Sequence, residues 1–355
     1  MQNIHHYNSD FKQLTQASWH GLTFDPPQPS LVTEAGCRWF QDEGSSSGSP
    51  LEMMNWLQAM EDAGAPYSPG VMLSWTVIVG NDNTRWHWGS KEGTPEPAIP
   101  WCGLMWPDGL PVSYTEAHAI KKYTKGQTDP SAAIPEQMWV ETWLPETLAE
   151  LQAGANGASF FSMPASAAGG SATASLNYTA AKPSTAPFGS VMYETTVWPT
   201  WPKGGDGAAV GILARASASG AGIFAGVTSD HKLVLEEWKG GSAAPKTLGS
   251  FDLATLPDNQ NKAAVNGWNM LRLCIASMPM ETGQADGTYA DVADVWFNPT
   301  HADPAGPLRG RRLQVQLPVG AIKGAGDGLM AASRGGAALK LDYAGVYGYT
   351  PHAAL

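Results

Sequence analysis

The pattern of this 355-residue chain changes near residue 158, and that change constrains its fold more than any other feature. From there onward, short runs of apolar and polar residues lie between turns rich in Gly, Ser, Asp and Pro. Strands that follow one another without helices between them predict a two-sheet β-sandwich. The predicted strands cover residues 159–163, 172–178, 190–197, 208–215, 223–228, 233–238, 246–252, 269–277, 290–297, 312–317, 328–332 and 339–347.

The first part of the chain alternates strand and helix signals instead. The predicted strands are 3–7, 30–34 and 71–79, and the predicted helices are 10–19, 50–64 and 115–123. A turn is predicted at Pro107-Asp108-Gly109, before the last of these helices. This alternation is typical of parallel βα architectures. We therefore expect an α+β multidomain chain, with a partial (β/α) barrel-like segment over 1–125, a linker over 126–150 and a β-sandwich over 151–355.

Composition excludes some classes of function. A net charge of -11 and a pI near 5.1 argue against nucleic-acid binding, which usually needs a basic face. No apolar run is long enough for a transmembrane helix. The three cysteines form no disulfide framework; a Cys37–Cys102 pair and free buried thiols both stay open. The 15 tryptophans fit either core packing or sugar stacking.

A carboxylate, Glu34, ends the second predicted strand. At the carboxyl end of a parallel strand it would be placed like the nucleophile of a retaining glycosidase, and an aromatic platform would complete such a site. The alternative is an ordinary ion pair of Glu34 with Arg38 or Arg85. The candidate substrate-binding residues in this part of the chain are His6, Tyr7, Trp75, Arg85, Trp86 and Trp88.

Three stretches make the first segment similar to the C-terminal part of clan-A-type TIM-barrel glycoside hydrolases. They are Asn3-Ile4-His5-His6-Tyr7, Leu31-Val32-Thr33-Glu34-Ala35-Gly36 and Met72-Leu73-Ser74-Trp75. The resemblance implies Glu34 as nucleophile and Trp75 as the floor of the sugar subsite. The strand that carries the general acid in that family has no counterpart here. The acid is therefore left open between Glu43, Asp82, Glu116 and a carboxylate of a second subunit.

The second segment resembles concanavalin A-like (laminin G-like) sandwiches, which have a jelly-roll topology. The matching stretches include Val210-Gly211-Ile212-Leu213-Ala214-Arg215 and Gly267-Trp268-Asn269-Met270-Leu271-Arg272-Leu273. The resemblance implies glycan binding, with Arg215 as a hydrogen-bond donor and a low-ranked Ca²⁺ site as the single cofactor considered. The candidate platforms are Trp198, Trp201, Trp238 and Trp296, and the candidate Ca²⁺ ligands are Asp286, Asp291 and Asp294.

Among the platforms, Trp198 and Trp201 are expected in an exposed loop and are the preferred sugar contacts. Trp268 is expected in the core. The leading functional hypothesis is hydrolysis of β-linked glycans by retention, with Glu34 as nucleophile. The alternative is a non-catalytic, lectin-like sandwich that carries a barrel remnant.

The expected partner is an oligo- or polysaccharide, with no nucleic acid and no membrane. A homo-oligomer that covers the open barrel edges is a further expectation. The sequence begins without a signal-peptide pattern. The family resemblance suggests a secreted or periplasmic protein if the N-terminus is truncated; the alternative is an intracellular protein.

Overall fold

The computed structural model describes residues 2–6, 18–19, 22–23, 30–35, 71–74, 103–115, 117, 140–143, 151–153, 159–167, 170–175, 191–205, 207–217, 219–241, 243–256, 267–279, 289–317 and 328–348. The chain divides into two compact units. Unit 1 is Met1–Pro130 with Gln152–Phe160, and unit 2 is Ser131–Leu151 with Phe161–Leu355. Within the described ranges, none of the helical segments has the length and hydropathy of a membrane-spanning helix.

Unit 1 contains a small parallel sheet. Its described strands are β1 (Gln2–His6), β2 (Ser18–Trp19), β3 (Leu22–Thr23), β4 (Ser30–Ala35) and β5 (Val71–Ser74). The sheet has the order β1-β4-β5, and both neighbouring pairs run parallel. The strands β2 and β3 form a separate antiparallel ribbon. Parallel pairing brings the carboxyl ends of β1, β4 and β5 to the same edge of the sheet.

The expected α+β fold with a (β/α) barrel-like segment is wrong for the described residues, which are almost entirely β. The last two residues of the helix predicted over 10–19 form strand β2 instead. Their pairing with β3 outweighs a short run of apolar residues at helical spacing. Of the helix predicted over 115–123, one described turn forms, in which the amide of Ala117 donates to the carbonyl of Ser113 (3.2 Å). The other predicted helical residues lie outside the described part.

A tight turn at 106–109 closes a hairpin in unit 1. The amide of Gly109 donates to the carbonyl of Trp106 (2.9 Å), and Met105 and Pro111 form an antiparallel bridge beyond it. Pro107 sits at the second turn position, where its fixed φ is favourable, and Gly109 has a φ of 84°. The turn predicted from Pro107-Asp108-Gly109 is therefore confirmed.

The remaining strands follow in order along the chain. They are β6 (Val140–Trp143), β7 (Leu151–Ala153), β8 (Ser159–Met163), β9 (Ser171–Ser175), β10 (Val191–Thr200), β11 (Ala209–Ala216), β12 (Ala221–Thr228), β13 (Lys232–Lys239), β14 (Lys246–Asp252), β15 (Asn269–Pro279), β16 (Tyr289–Phe297), β17 (Arg311–Gln316), β18 (Gly328–Arg334) and β19 (Ala338–Gly348). A 3-10 helix, Leu253–Thr255, is capped by Asp252, whose carboxylate accepts from the amide of Ala254 (2.9 Å).

Two antiparallel sheets form the β-sandwich of unit 2. The large sheet contains the path β17-β16-β15-β10-β19, and both β6 and β8 pair with β19. The small sheet has the order β14-β13-β12-β11-β18-β9. The sandwich predicted from the strand-and-turn pattern is confirmed.

Alternate residues of the two sheets form one apolar core. In the small sheet, Val210 and Ile212 belong to this buried cluster. In the large sheet, Leu271, Leu273 and Val295 belong to it. Because side chains alternate faces along a strand, the intervening residues point away from the core. Fully burying one such aliphatic side chain contributes about 1.5–3 kcal/mol to stability.

The outward face of the small sheet is apolar as well. Leu213, Phe224, Val234 and Trp238 form a second buried cluster there. The rings of Phe224 and Trp238 are stacked, with centroids 4.8 Å apart. A sheet with apolar residues on both faces reads from sequence as a nearly continuous apolar run, as β11 and β12 do.

Candidate functional site

The parallel sheet of unit 1 brings two of the predicted site positions together. Its register places His5 opposite Glu34, and His6 opposite Ala35. Ala35 in turn lies opposite Ser74 near the end of β5. These positions therefore share the carboxyl edge of the sheet. The other predicted residues of this site, Tyr7, Trp75, Arg85, Trp86 and Trp88, lie outside the described residues.

Most of the predicted tryptophan platforms of unit 2 are buried. Trp238 and Trp296 are each 5% exposed, Trp198 is 7% exposed, and Trp268 is 2% exposed as its predicted core position requires. The indole N–H of Trp238 donates to Glu236 (3.0 Å), and that of Trp296 donates to the carbonyl of Pro307 (3.3 Å). These indoles offer no open ring face to a sugar.

Trp198 lies in β10 and not in the exposed loop that the sequence predicts. Its ring meets that of Trp268 edge-on, with centroids 5.8 Å apart. Pairing of β10 with β15 ends at Val197, but pairing with β19 continues through Pro199 to Thr200. This end of β10 therefore has a partner on one side, which is where a sheet tolerates proline.

Trp201 follows the end of β10 and is half-buried. It packs against the main apolar core, and its indole nitrogen is buried without a hydrogen-bond partner. A buried hydrogen-bond donor without a partner lowers the stability of the folded state by about 1–3 kcal/mol. Among the tryptophans of unit 2 whose side chains are described, Trp201 is the one that keeps substantial exposed surface.

Two turns pack against the segment that begins with Trp201. We call this region the Trp201 end; it consists of residues 201–205 and 207–208, Ser166, the β12–β13 turn at 229–231 and the β18–β19 turn at 335–337. The hydroxyl of Ser229 donates to the carbonyl of Gly205 (2.7 Å), and the amide of Gly336 donates to the hydroxyl of Ser166 (2.9 Å). These bonds fix the segments to one another.

The β18–β19 turn depends on its two glycines. Gly335 and Gly336 have φ values of 69° and 85°, as a two-residue type I′ hairpin loop requires. A Cβ on Gly335 would lie 2.9 Å from the Cα of Ala208. The turn therefore packs closely on the segment that carries Trp201.

Arg215, predicted as a sugar donor, joins the two sheets at the opposite end of the sandwich. Its guanidinium donates to the carboxylate of Asp291 in β16 (2.9 Å). Arg215 has a φ of 50° at an irregularity in the pairing of β11 with β18. A non-glycine residue with such a φ is uncommon, and the ion pair holds it in place.

The predicted calcium ligands have arginine partners where they are described. Asp291 pairs with Arg215, and Asp294 pairs with Arg311 (3.1 Å). Asp286 lies outside the described residues. No group of three or more His, Cys, Asp or Glu side chains that could hold a metal ion occurs in the described part of the chain. The calcium site stays a prediction.

The sequence interpretation missed a buried ion pair on the outward face of the large sheet. Both Nε and Nη2 of Arg272 donate to Oε2 of Glu194 (3.0 and 2.7 Å), and the Glu194 side chain is fully buried. Cys274 lies in the next row, as a free buried thiol whose pKa is raised by burial. The sequence did contain a signal, because Glu194 and Arg272 are the single charged residues of their strands and are of opposite sign.

Comparisons with known proteins give distant structural likenesses. No family model matches the chain, and no curated protein matches it. A crystal structure described as a receptor binding domain aligns with 64% of this chain and 47% of its own length, at 9% identity and a TM-score of 0.35. The structure titled "Cell entry of botulinum neurotoxin type C is dependent upon interaction with two ganglioside molecules" aligns with 61% and 44%, at 9% identity and a TM-score of 0.34.

A third likeness is to carbohydrate binding module CBM66 from Bacillus subtilis. It covers 59% of this chain and 91% of the module, at 12% identity and a TM-score of 0.26. This chain spans less than half the length of the first two structures. At these TM-scores the likenesses carry no argument about this chain, and its function has to be argued from its own residues.

Proposed function

We propose that unit 2 is a carbohydrate-binding β-sandwich and that it binds its ligand at the Trp201 end. Binding at the sheet faces is disfavoured by burial. On the outward face of the large sheet, Glu194, Arg272 and Trp296 are buried, and on that of the small sheet Phe224 and Trp238 are buried. This leaves the loop ends and the sheet edges to meet a ligand.

The observation that carries the proposal is the half-buried indole of Trp201, which packs against the main apolar core. The apolar C–H face of a sugar ring stacks on an indole, because the indole offers a large apolar and electron-rich ring face. The core contacts of Trp201 fix the ring, so little side-chain entropy is lost on binding. Exposed Lys203 and half-buried Ser229 add polar groups at the same end.

Retention of the full chain on a panel of soluble and insoluble polysaccharides tests the proposal. Trp201→Ala is expected to weaken the affinity for a retained polysaccharide by about tenfold or more, as truncation of a central aromatic contact does. Trp201→Phe keeps a ring and should lose less. Lys239→Ala, at the opposite end of the sandwich, is the control. Equal affinity of Trp201→Ala and the unmodified chain, with both folded by near-UV circular dichroism, would exclude this site.

A second candidate function is hydrolysis of β-linked glycosides by retention, with Glu34 as nucleophile. The register that places His5 opposite Glu34 at the carboxyl edge of parallel strands favours it. Reducing-end release by the unmodified chain, lost in Glu34→Gln while retention is kept, would support it. Release that survives Glu34→Gln would remove Glu34 from the chemistry.

A further inference from the structure

We infer that Arg334 is a positioning residue of the proposed carbohydrate site. Its guanidinium donates to the carbonyl of Gly207 and so fixes the path of the chain between Trp201 and β11. This role presupposes the binding function proposed for the Trp201 end. Arg334 would act on the ligand through the backbone of that segment and not by direct contact.

The segment that follows Trp201 is rich in glycine. Gly204 and Gly207 both have a φ of 71°, and the amide of Gly205 donates to the carbonyl of Pro202 (3.2 Å), which closes a turn directly after the indole. A Cβ on Gly204 would meet no atom within 4 Å, so the turn is open on that side. Because glycine loses more conformational freedom on ordering than other residues do, the segment depends on contacts from its neighbours.

Three carbonyl groups of this segment accept hydrogen bonds from other parts of unit 2. The hydroxyl of Ser229 donates to the carbonyl of Gly205 (2.7 Å), and the amide of Ser229 donates to that of Ala208 (2.8 Å). Between these two, Nη1 of Arg334 donates to the carbonyl of Gly207. Hydrogen bonds from a charged donor are stronger than those between neutral groups, so Arg334 provides the strongest of the three.

The register of the small sheet places Arg334 beside this segment. Arg334 is the last residue of β18 and lies opposite Ala209, the first residue of β11. Ala209 belongs to the second buried cluster, on the outward face of the sheet, and residues opposite each other share a face. Gly207 lies two residues before Ala209, where the chain enters the sheet. The contact between Arg334 and Gly207 therefore follows from the strand register.

A buried carboxylate on the same face holds Arg334. Its Nη2 donates to Oε1 of Glu236 (2.8 Å) and its Nε to Oε2 (3.3 Å), and the Glu236 side chain is 3% exposed. The indole N–H of Trp238 donates to the same Oε2 (3.0 Å). A two-point contact with a carboxylate fixes the plane of the guanidinium, which leaves Nη1 directed at Gly207.

Fixing Gly207 contributes to binding by preorganisation. A segment that is ordered before the ligand arrives loses little conformational entropy on binding, whereas a loose segment has to be ordered at the expense of affinity. Ordering the backbone of one residue corresponds to a factor of about 5 to 30 in affinity. Release of the Gly207 carbonyl should therefore weaken binding, while the indole of Trp201 keeps its contacts with the core.

Titration of the full chain with soluble xylan, mixed-linkage β-glucan, galactomannan and pectin measures the effect. Arg334→Met removes the donors and should lower the affinity for a bound polysaccharide by about fivefold to tenfold. Since it leaves Glu236 buried and unpaired, the double variant Arg334→Met, Glu236→Gln is measured as well, and the same loss of affinity is expected. Arg215→Met is the matched control, because Arg215 is an arginine of similar exposure that pairs with Asp291 at the opposite end.

Amide hydrogen exchange of the free protein provides a readout that general destabilisation does not reproduce. Both Arg334 variants should speed exchange in a peptide that spans residues 201–208, where the amide of Gly205 is hydrogen-bonded to Pro202. Exchange in a peptide within β16, in the other sheet, should keep its rate. Arg215→Met should leave exchange in residues 201–208 unchanged.

The outcomes separate this role from the proposed function. If a polysaccharide binds and the Arg334 variants lose no more affinity than Arg215→Met does, the positioning role is wrong and the Trp201 site stands. Unchanged exchange in residues 201–208 would overturn the role in the same way. If none of the polysaccharides binds, both the role and the proposed function are wrong.

Discussion

At the scale of single residues, the buried charges of unit 2 determine how much stability a substitution removes. The ion pair of Glu194 and Arg272 lies on the outward face of the large sheet, with side chains 0% and 8% exposed. Desolvation of such a pair offsets much of its Coulomb attraction, so its presence says little about net stability. Removing one partner is different, because the other charge then stays buried and unpaired.

Glu194→Ala is expected to lower the free energy of unfolding by about 3–5 kcal/mol. The double variant Glu194→Leu, Arg272→Leu should recover most of that loss, since it leaves no charge behind. Urea titration of the full chain measures both. Asp230→Ala, which breaks the exposed pair with Lys232, should cause only a small loss by comparison. A single variant as stable as the unmodified protein would contradict the burial of this pair.

At the scale of elements, turn chemistry positions the candidate site. The β18–β19 turn needs positive φ at Gly335 and close approach to Ala208, whereas Gly241, in the turn after β13, needs only the positive φ of 61°. A side chain at Gly241 would strain only the backbone conformation, whereas one at Gly335 would also clash with Ala208. Comparing the two positions therefore separates the two losses of stability.

Gly241→Ala is expected to cost about 1–2 kcal/mol, the penalty of the left-handed conformation alone. Gly335→Ala should cost more, because its Cβ would also press on the backbone of Ala208 at 2.9 Å. Thermal unfolding of the two variants gives the comparison. Equal melting temperatures would mean that the contact with Ala208 relaxes without cost.

At the scale of the whole molecule, the buried charges shape the pH dependence of stability. Burial raises the pKa of the Asp294 carboxyl above its ordinary 3.8, although Arg311 lowers it. The folded state then binds this proton more tightly than the unfolded chain does. Its contribution to the free energy of unfolding therefore falls as pH rises from the ordinary Asp value through the raised one.

Asp294→Asn should remove this fall, and urea titrations across the acidic range measure it. Asp230 is the control of opposite sign, since the hydrogen bond from Lys232 lowers its pKa. Its stabilising contribution is present above the ordinary value and is lost as pH falls through the lowered one. A pH profile of Asp294→Asn that matches the unmodified protein would show that this carboxyl does not contribute.

The sequence by itself determined the β-sandwich of unit 2. Alternating apolar residues such as Val210, Ile212 and Leu273, separated by turn residues, leave few other ways to bury one face of each strand. The turn at Pro107 could also be read, because proline and glycine restrict the backbone locally. The expectation of a βα segment was wrong for the described residues, because a few apolar residues at helical spacing do not determine which segments pair as strands.

Only the tertiary structure decided which aromatic residues are covered. The alternation of apolar and polar residues places Trp198 and Trp201 in or just after a strand. It does not indicate which residues pack against them. Pairing of β10 with β19 includes Trp198 in the sheet, whereas Trp201 follows the end of that pairing and is partly exposed. The ion pair of Asp303 with Arg312 likewise joins residues whose contact no periodicity encodes. Local pattern sets the face of each strand, whereas burial depends on contacts between segments distant in sequence.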